Sequence, residues 1–296
     1  ASASGAEGYG FDPRLAYHFS PPGLGKRLGC KQLENPPRGA HTRGMKFFTT
    51  ISALLIAALG LAPGAVQGQA PAPAPELHQC VKPVPREGQG YQRYVELNQR
   101  VRDSQGQARV IFVGDSITQG WEGNGKEVWA KYYAPRQALN LGIGSDHTQH
   151  VLWRLDHGNL DGLHPKVAVV LIGVNNIPDT NNTPRQVLEG VTAVVRKLRE
   201  KLPETKVLLL GIFPFREDFC DQRAKALQVN QALHKLDDGH WIYFRDIGHL
   251  FIQPDGRISP AMMRDFLHLS PTGYRLWAEA IEPDLAALLG EKPITP

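Results

Sequence analysis

Cysteine is scarce: the chain has three in 296 residues, Cys30, Cys80 and Cys220. So few exclude a disulfide-stapled scaffold, in which bridges stand in for a core. Cys80 and Cys220 permit one bridge in an oxidising compartment, and the sequence leaves open whether they meet. No apolar run reaches the roughly 20 residues that a bilayer-spanning helix needs, and the longest, Phe47 to Ala62, stops short. Stable membrane insertion is therefore not expected. Charge of one sign is also missing from most of the chain. Residues 1–68 hold seven Lys and Arg against three acids, which is the whole formal +4, and from Gln69 onward 26 basic residues face 26 acidic ones. A neutral body removes the electrostatic case for a nucleic-acid partner. With 42% hydrophobic and 21% charged residues, a wholly disordered or fibrous chain is excluded too.

What is present divides the chain into four parts. Residues 1–44 lack hydrophobic periodicity and are rich in Gly, Pro, Arg and Ser, so they are expected to be upstream translation or a disordered extension. The alternative is a genuine extension ahead of an internal anchor helix. Residues 45–68 begin Met-Lys-Phe-Phe, continue through the apolar run and end in small residues, the layout of a signal peptide, with Gly68, Ala65 and Ala70 as alternative cleavage points. That layout places the protein in the periplasm or outside the cell. Residues 69–90 contain Ala-Pro-Ala-Pro-Ala-Pro-Glu at 70–76 and are expected to form a Pro-rich tether. Residues 91–291 are left as a single folded domain.

Within that domain short apolar runs alternate with longer amphipathic ones. Strands are expected at Val110–Val113, Ala138–Leu141, Val167–Ile172, Val207–Leu210 and Trp241–Phe244, and three of the five are continuously apolar, as parallel strands covered on both faces must be. Helices are expected at Thr148–Asp156, Pro184–Leu202, Arg223–Leu236 and Pro271–Leu289, the last with Ser270 as N-cap and Pro271 in its first turn. Strand–helix alternation with right-handed crossovers implies an α/β fold: a three-layer α/β/α sandwich around a five-stranded parallel sheet. In such sheets the ligand site lies beyond the carboxyl ends of the strands.

Four segments fall there. Gly114-Asp115-Ser116 follows the first strand, so Ser116 sits on a tight turn beside helix-start N–H groups, where a nucleophile is useful. Alone, it is as readily a helix cap. Asp265-x-x-His268 supplies a base and an orienting acid, with the spacing expected to set both on one side of a helical turn. Asn175, in Gly173-Val174-Asn175-Asn176, can donate to an oxyanion or simply form a turn. Gly142-Ile143-Gly144-Ser145-Asp146 follows the second strand.

These blocks, in this order, resemble those of the SGNH/GDSL hydrolase superfamily. The stretch Asn140 to Leu155 is similar to the catalytic subunits of platelet-activating-factor acetylhydrolase and their bacterial GDSL esterase relatives. The resemblance implies a flavodoxin-like SGNH hydrolase fold for residues 91–291. It further implies that Ser116 is the nucleophile, His268 the general base and Asp265 its acid partner. The oxyanion donors it implies are the Ser116 N–H, the Asn175 side chain and the backbone N–H of Ser145, where the family usually has glycine. The open question is whether serine reaches a conformation suited to glycine.

Other readings are weaker. The residues after Gly-Asp-Ser are Ile117-Thr118 rather than the glycines of chymotrypsin-like proteases, no G-x-S-x-G elbow exists, and Gly142-x-Gly144 lacks the third glycine of a dinucleotide fingerprint. No cofactor is expected. His147 and His150 are better placed on a polar helix face than in a metal site, and Trp153 is better suited to packing than to substrate. The expected function is an exported serine esterase that removes a short acyl group, chiefly acetyl, from a lipid or carbohydrate ester. The alternative is a non-catalytic carbohydrate- or lipid-binding protein on the same fold. The partner is then a small-molecule, glycan or lipid ester, and a homodimer is left open. Phe213, Phe215 and Phe219 are expected near the strand ends, narrowing a lidless site.

Overall fold

The computed structural model describes residues 77–178 and 182–295. The expected extension (1–44), signal peptide (45–68) and start of the tether lie outside the described residues. The elements run α1 (Gly88–Asp103), β1 (Val110–Gly114), α2 (Ser116–Gln119), α3 (Lys126–Tyr132), β2 (Ala138–Gly142) and α4 (Thr148–Leu155). They continue with β3 (Val167–Leu171), α5 (Pro184–Lys201), β4 (Lys206–Leu210), α6 (Asp221–Leu233), β5 (Ile242–Arg245) and α7 (Pro271–Leu289).

All five strands are parallel, in the order β2-β1-β3-β4-β5. Val110 pairs with Ala138 on one side and Val167 on the other, so β1 and β3 end level with each other. The chain leaves β1 toward β2 and returns past it to β3, which opens a crevice at the carboxyl ends of β1 and β3. Both strands are buried along their whole length, and their Val, Ile and Leu runs are the physical reason for the parallel sheet. Helices cover both faces, with α4, α5 and α6 side by side and α3 packed against α7.

Behind the end of β1 lies an aromatic cluster. Trp121 stands 4.8 Å from Trp277 and 4.6 Å from Tyr274 between ring centroids, and Phe112 stands 4.6 Å from Tyr133. The buried Tyr274 hydroxyl donates to the Ile117 carbonyl at 2.7 Å, so α7 is tied directly to α2. At the other end of α7, the buried Arg136 guanidinium grips Glu282 with two bonds, of 2.7 and 2.6 Å.

One sequence expectation needs correction and one open question is answered. The tether does not run to residue 90: residues 77–87 form a strap with a 3-10 turn at Gln79–Val81, and α1 begins at Gly88. The strap is ordered by specific bonds, for Thr148 Oγ1 donates to the Cys80 carbonyl at 2.7 Å and the Val84 N–H donates to the Gln149 carbonyl at 3.2 Å. Cys80 and Cys220 do not meet. Both are free, Cys80 buried as part of the strap and Cys220 exposed at the start of α6. Among the described residues no helix is long and apolar enough to cross a membrane.

Candidate active site

Gly114 and Gly142 end β1 and β2, and neither position has room for a side chain. A Cβ at Gly114 would lie 2.3 Å from the Leu171 carbonyl oxygen, and one at Gly142 would lie 2.3 Å from the Gln119 nitrogen. Close approach lets the turn after β1 and the loop after β2 share one space. Asp115 caps α2, its Oδ1 accepting from the Ile117 N–H at 3.0 Å. Ser116 is the first helical residue, so its N–H has no partner inside the helix and points out of it.

On the opposite wall, an antiparallel bridge between Met263 and Leu269 pinches off the segment that carries the acid and the base. This segment is a tight bend rather than the helical turn expected from the spacing. Phe266 takes a left-handed φ of 58°, and Asp265 Oδ1 accepts from the N–H groups of Leu267 and His268 at 3.1 and 2.8 Å. The bend still unites the two side chains. Asp265 Oδ2 lies 2.6 Å from His268 Nδ1, and His268 Nε2 lies 2.8 Å from Ser116 Oγ, across a sequence separation of 152 residues. Burial alone would raise the Asp265 pKa, but the His268 ring and the two N–H groups outweigh it and hold the carboxyl below the ordinary range. It is therefore a carboxylate that fixes the imidazole proton on Nδ1 and leaves Nε2 free to accept.

Asn175 follows β3 in a short 3-10 turn, entered through Gly173 at φ 120°. Its Nδ2 donates to the Asp146 carbonyl at 2.9 Å, which uses one amide hydrogen and aims the other. The same side chain joins Phe215, Asp265, Phe266 and Leu267 around a cavity of about 230 Å³. The loop after β2 closes the ring. Gly144 N donates to Gln119 Oε1 at 2.7 Å and Asp146 N to the Ile143 carbonyl at 3.2 Å, on either side of the Ser145 N–H. Ser145 does take the conformation suited to glycine, with φ 60°. Ser116, Ser145, Asn175, Asp265 and His268 are thus gathered at one end of the sheet.

The GDSL-like lipase/acylhydrolase family model matches residues 112–276. The chain belongs to that family, and it is an ester hydrolase by membership. Similar curated proteins include human platelet-activating factor acetylhydrolase IB subunit alpha1, 38% identical over 220 residues, covering 73% of this chain and 93% of the relative. Subunit alpha2 from Rattus norvegicus is 39% identical over 188 residues, covering 62% of this chain and 79% of that one. Among solved structures, a GDSL-like lipase from Bacteroides thetaiotaomicron superposes with a TM-score of 0.54 at 18% identity, covering 67% of this chain and 97% of the other. That likeness is one of fold.

Several residues of this GDSL hydrolase escaped the sequence reading. Asp146 is wholly buried, and its Oδ2 accepts from Arg154 Nε at 2.9 Å. Arg154, also buried, donates to the Gly114 carbonyl at 3.0 Å and to Asn159 Oδ1 at 2.8 Å. Burial pushes Asp146 up to about 6 against the pull of Arg154. Burial likewise pushes Asp115 up to about 7, and the Asp146 charge adds to the effect. His150 is not on an open polar face: it accepts from the His147 N–H at 3.0 Å, and burial, with the charges of His147, Arg86 and Arg154, pulls it down to about 4. Among the described residues no group of three or more His, Cys, Asp or Glu is arranged to hold a metal ion. Trp153 packs, its ring stacked 4.1 Å from that of His157. Of the three phenylalanines only Phe215 lines the small cavity. Phe213 is in the core, and Phe219 is 74% exposed in a separate cleft. Sequence carries no clear signal for Arg154, because the residues three, four and seven positions before it are Val151, His150 and His147, a mixed rather than an apolar face.

Proposed function

We propose that the protein is an exported serine esterase that hydrolyses short acyl esters, chiefly acetyl esters, through an acyl-enzyme. The observation that carries this reading is the pair of distances through His268, 2.6 Å to Asp265 and 2.8 Å to Ser116. In this mechanism Ser116 Oγ attacks the ester carbonyl as His268 Nε2 takes its proton. The oxyanion that forms is held by the N–H of Ser116, the N–H of Ser145 and Asn175 Nδ2. Collapse expels the alcohol, protonated by His268, and a water activated by the same nitrogen releases the acid. The His268 side chain is 42% exposed, so water reaches it without a separate channel.

A preference for short acyl groups is supported by the cavity of about 230 Å³ beside Asn175, walled by Phe215, Phe266 and Leu267. Acetate is further supported by relatives that are named acetylhydrolases. Export rests on the sequence of residues 45–68. The test is a series of p-nitrophenyl esters from acetate to decanoate, run with Ser116→Ala beside the wild type. Acetate to butyrate should be preferred and Ser116→Ala inactive, with fluorophosphonate labelling Ser116 alone. A preference for decanoate, or label on another serine, overturns the reading. An acetylated glycerolipid and acetylated xylan, run in parallel, separate lipid from carbohydrate.

A further inference from the structure

The loop that carries the Ser145 N–H is held from two sides by arginines. From inside, Arg154 binds the Asp146 carboxylate and, through the Gly114 carbonyl, the end of β1. From outside comes Arg86, at the end of the strap that the sequence suggested was a tether. Arg86 Nη1 donates to the Ser145 carbonyl at 3.0 Å, and its Nε stands 3.9 Å from Asp146 Oδ1. The Ser145–Asp146 peptide is thus fixed by a side chain that belongs to none of the four motif blocks.

Ser145 needs such help more than the family's glycine would. At φ 60° an L-residue is strained, and such strain persists only where surrounding contacts impose it. Released, serine relaxes toward negative φ, which turns its N–H away from the oxyanion. Glycine populates both signs of φ almost equally and would keep much of the alignment unaided.

We propose that Arg86 is a positioning residue of the esterase reaction, clamping the Ser145 carbonyl so that the Ser145 N–H stays aimed at the oxyanion. The strap is anchored well enough to serve as the clamp's base. His78 Nε2 lies 2.7 Å from Glu189 Oε2, Gln79 Nε2 donates to Asn182 Oδ1 at 3.0 Å, and Cys80 is wholly buried. The inference rests on the oxyanion hole assigned under Proposed function.

The test uses the full chain and p-nitrophenyl acetate. Arg86→Met keeps the apolar stem and removes the donor. Because oxyanion donors act on charge that exists only in the transition state, kcat should fall about 10- to 100-fold while KM stays within about twofold. Adding Ser145→Gly to Arg86→Met should recover most of the lost kcat, a rescue that a merely stabilising contact would not produce. The Arg86 side chain is only 25% exposed, so the thermal midpoint is measured beside kcat, and the fall in kcat is expected at temperatures where the variant is still fully folded. An unchanged kcat, a loss confined to KM, or failure of Ser145→Gly to rescue overturns the proposal. Asn175→Ala, measured alongside, separates the two claims: if it leaves kcat intact the oxyanion hole itself is wrong, whereas a loss in Asn175→Ala with none in Arg86→Met removes only the role of Arg86.

Discussion

Asp115 is wholly buried, with only Oδ1 bonded, to the Ile117 N–H. Its folded pKa of about 7 lies above the ordinary 3.8. The native state therefore holds this proton more tightly than the unfolded chain, and stability is lost as pH rises from 3.8 through about 7. Asp115→Asn keeps the acceptor for Ile117 and removes the titration. The variant should melt together with the wild type near pH 4 and several degrees above it near pH 8, by calorimetry; equal melting at both would refute the assignment. Ser145 gives a second prediction of the same kind. Ser145→Gly relieves left-handed strain worth about 1 kcal/mol, so its midpoint should rise by about 2–4 °C. The candidate site residues could be found because each sits just beyond an apolar strand or within a compact block, although each alone suited a cap or a turn as well and only the set together pointed to a site. Arg86, Asp146 and Arg154 were not, since a buried ion pair and a clamp from distant sequence leave no spacing to read.

All five strands fall within a residue or so of where their apolar runs place them, most plainly β1 and β3, which are buried along their whole length and have no polar position to blur their ends. Helices α5 and α7 are equally plain in sequence. Thr183 and Gln186 form a reciprocal cap, and Ser270 accepts from the Gly273 N–H. By contrast, α1 and α3 were missed, since α1 buries only Gly90, Leu97 and Val101 and α3 only Tyr132, too few for a readable stripe. The bend at 263–269 was mistaken for a helical turn because spacing of three suits both. What decides it is the left-handed Phe266, invisible in sequence. The coupling of α7 to α2 through Tyr274 should show in Tyr274→Phe, which leaves the buried Ile117 carbonyl unpaired. A loss of about 1 kcal/mol is expected in denaturant melts, with a smaller fall in kcat as α2 loosens around Ser116.

The fold class was legible from alternation alone, but not where the folded body begins. The described residues from 77 onward form one compact unit, and the first of them, 77–87, are bonded to α4 and α5. A chain starting at residue 70 should therefore keep full esterase activity. One starting at residue 88 should fold less stably and lose kcat beyond what the loss in stability explains. Circular dichroism and p-nitrophenyl acetate turnover would check both, and equal turnover would show the strap to be passive.

The contact between His268 and Ser116 joins residues 152 apart, and β2, β3, β4 and β5 all lie between them. On the proposed mechanism, a growing chain should not hydrolyse an ester until its last quarter has arrived and docked. Any product truncated before residue 263 is silent, however well its first three strands have formed. A cut at the exposed Asp238–Gly239 turn would divide the nucleophile from its base, leaving two inert pieces whose reunion switches turnover on. Ester hydrolysis by this molecule is thus a report on the integrity of the entire sheet.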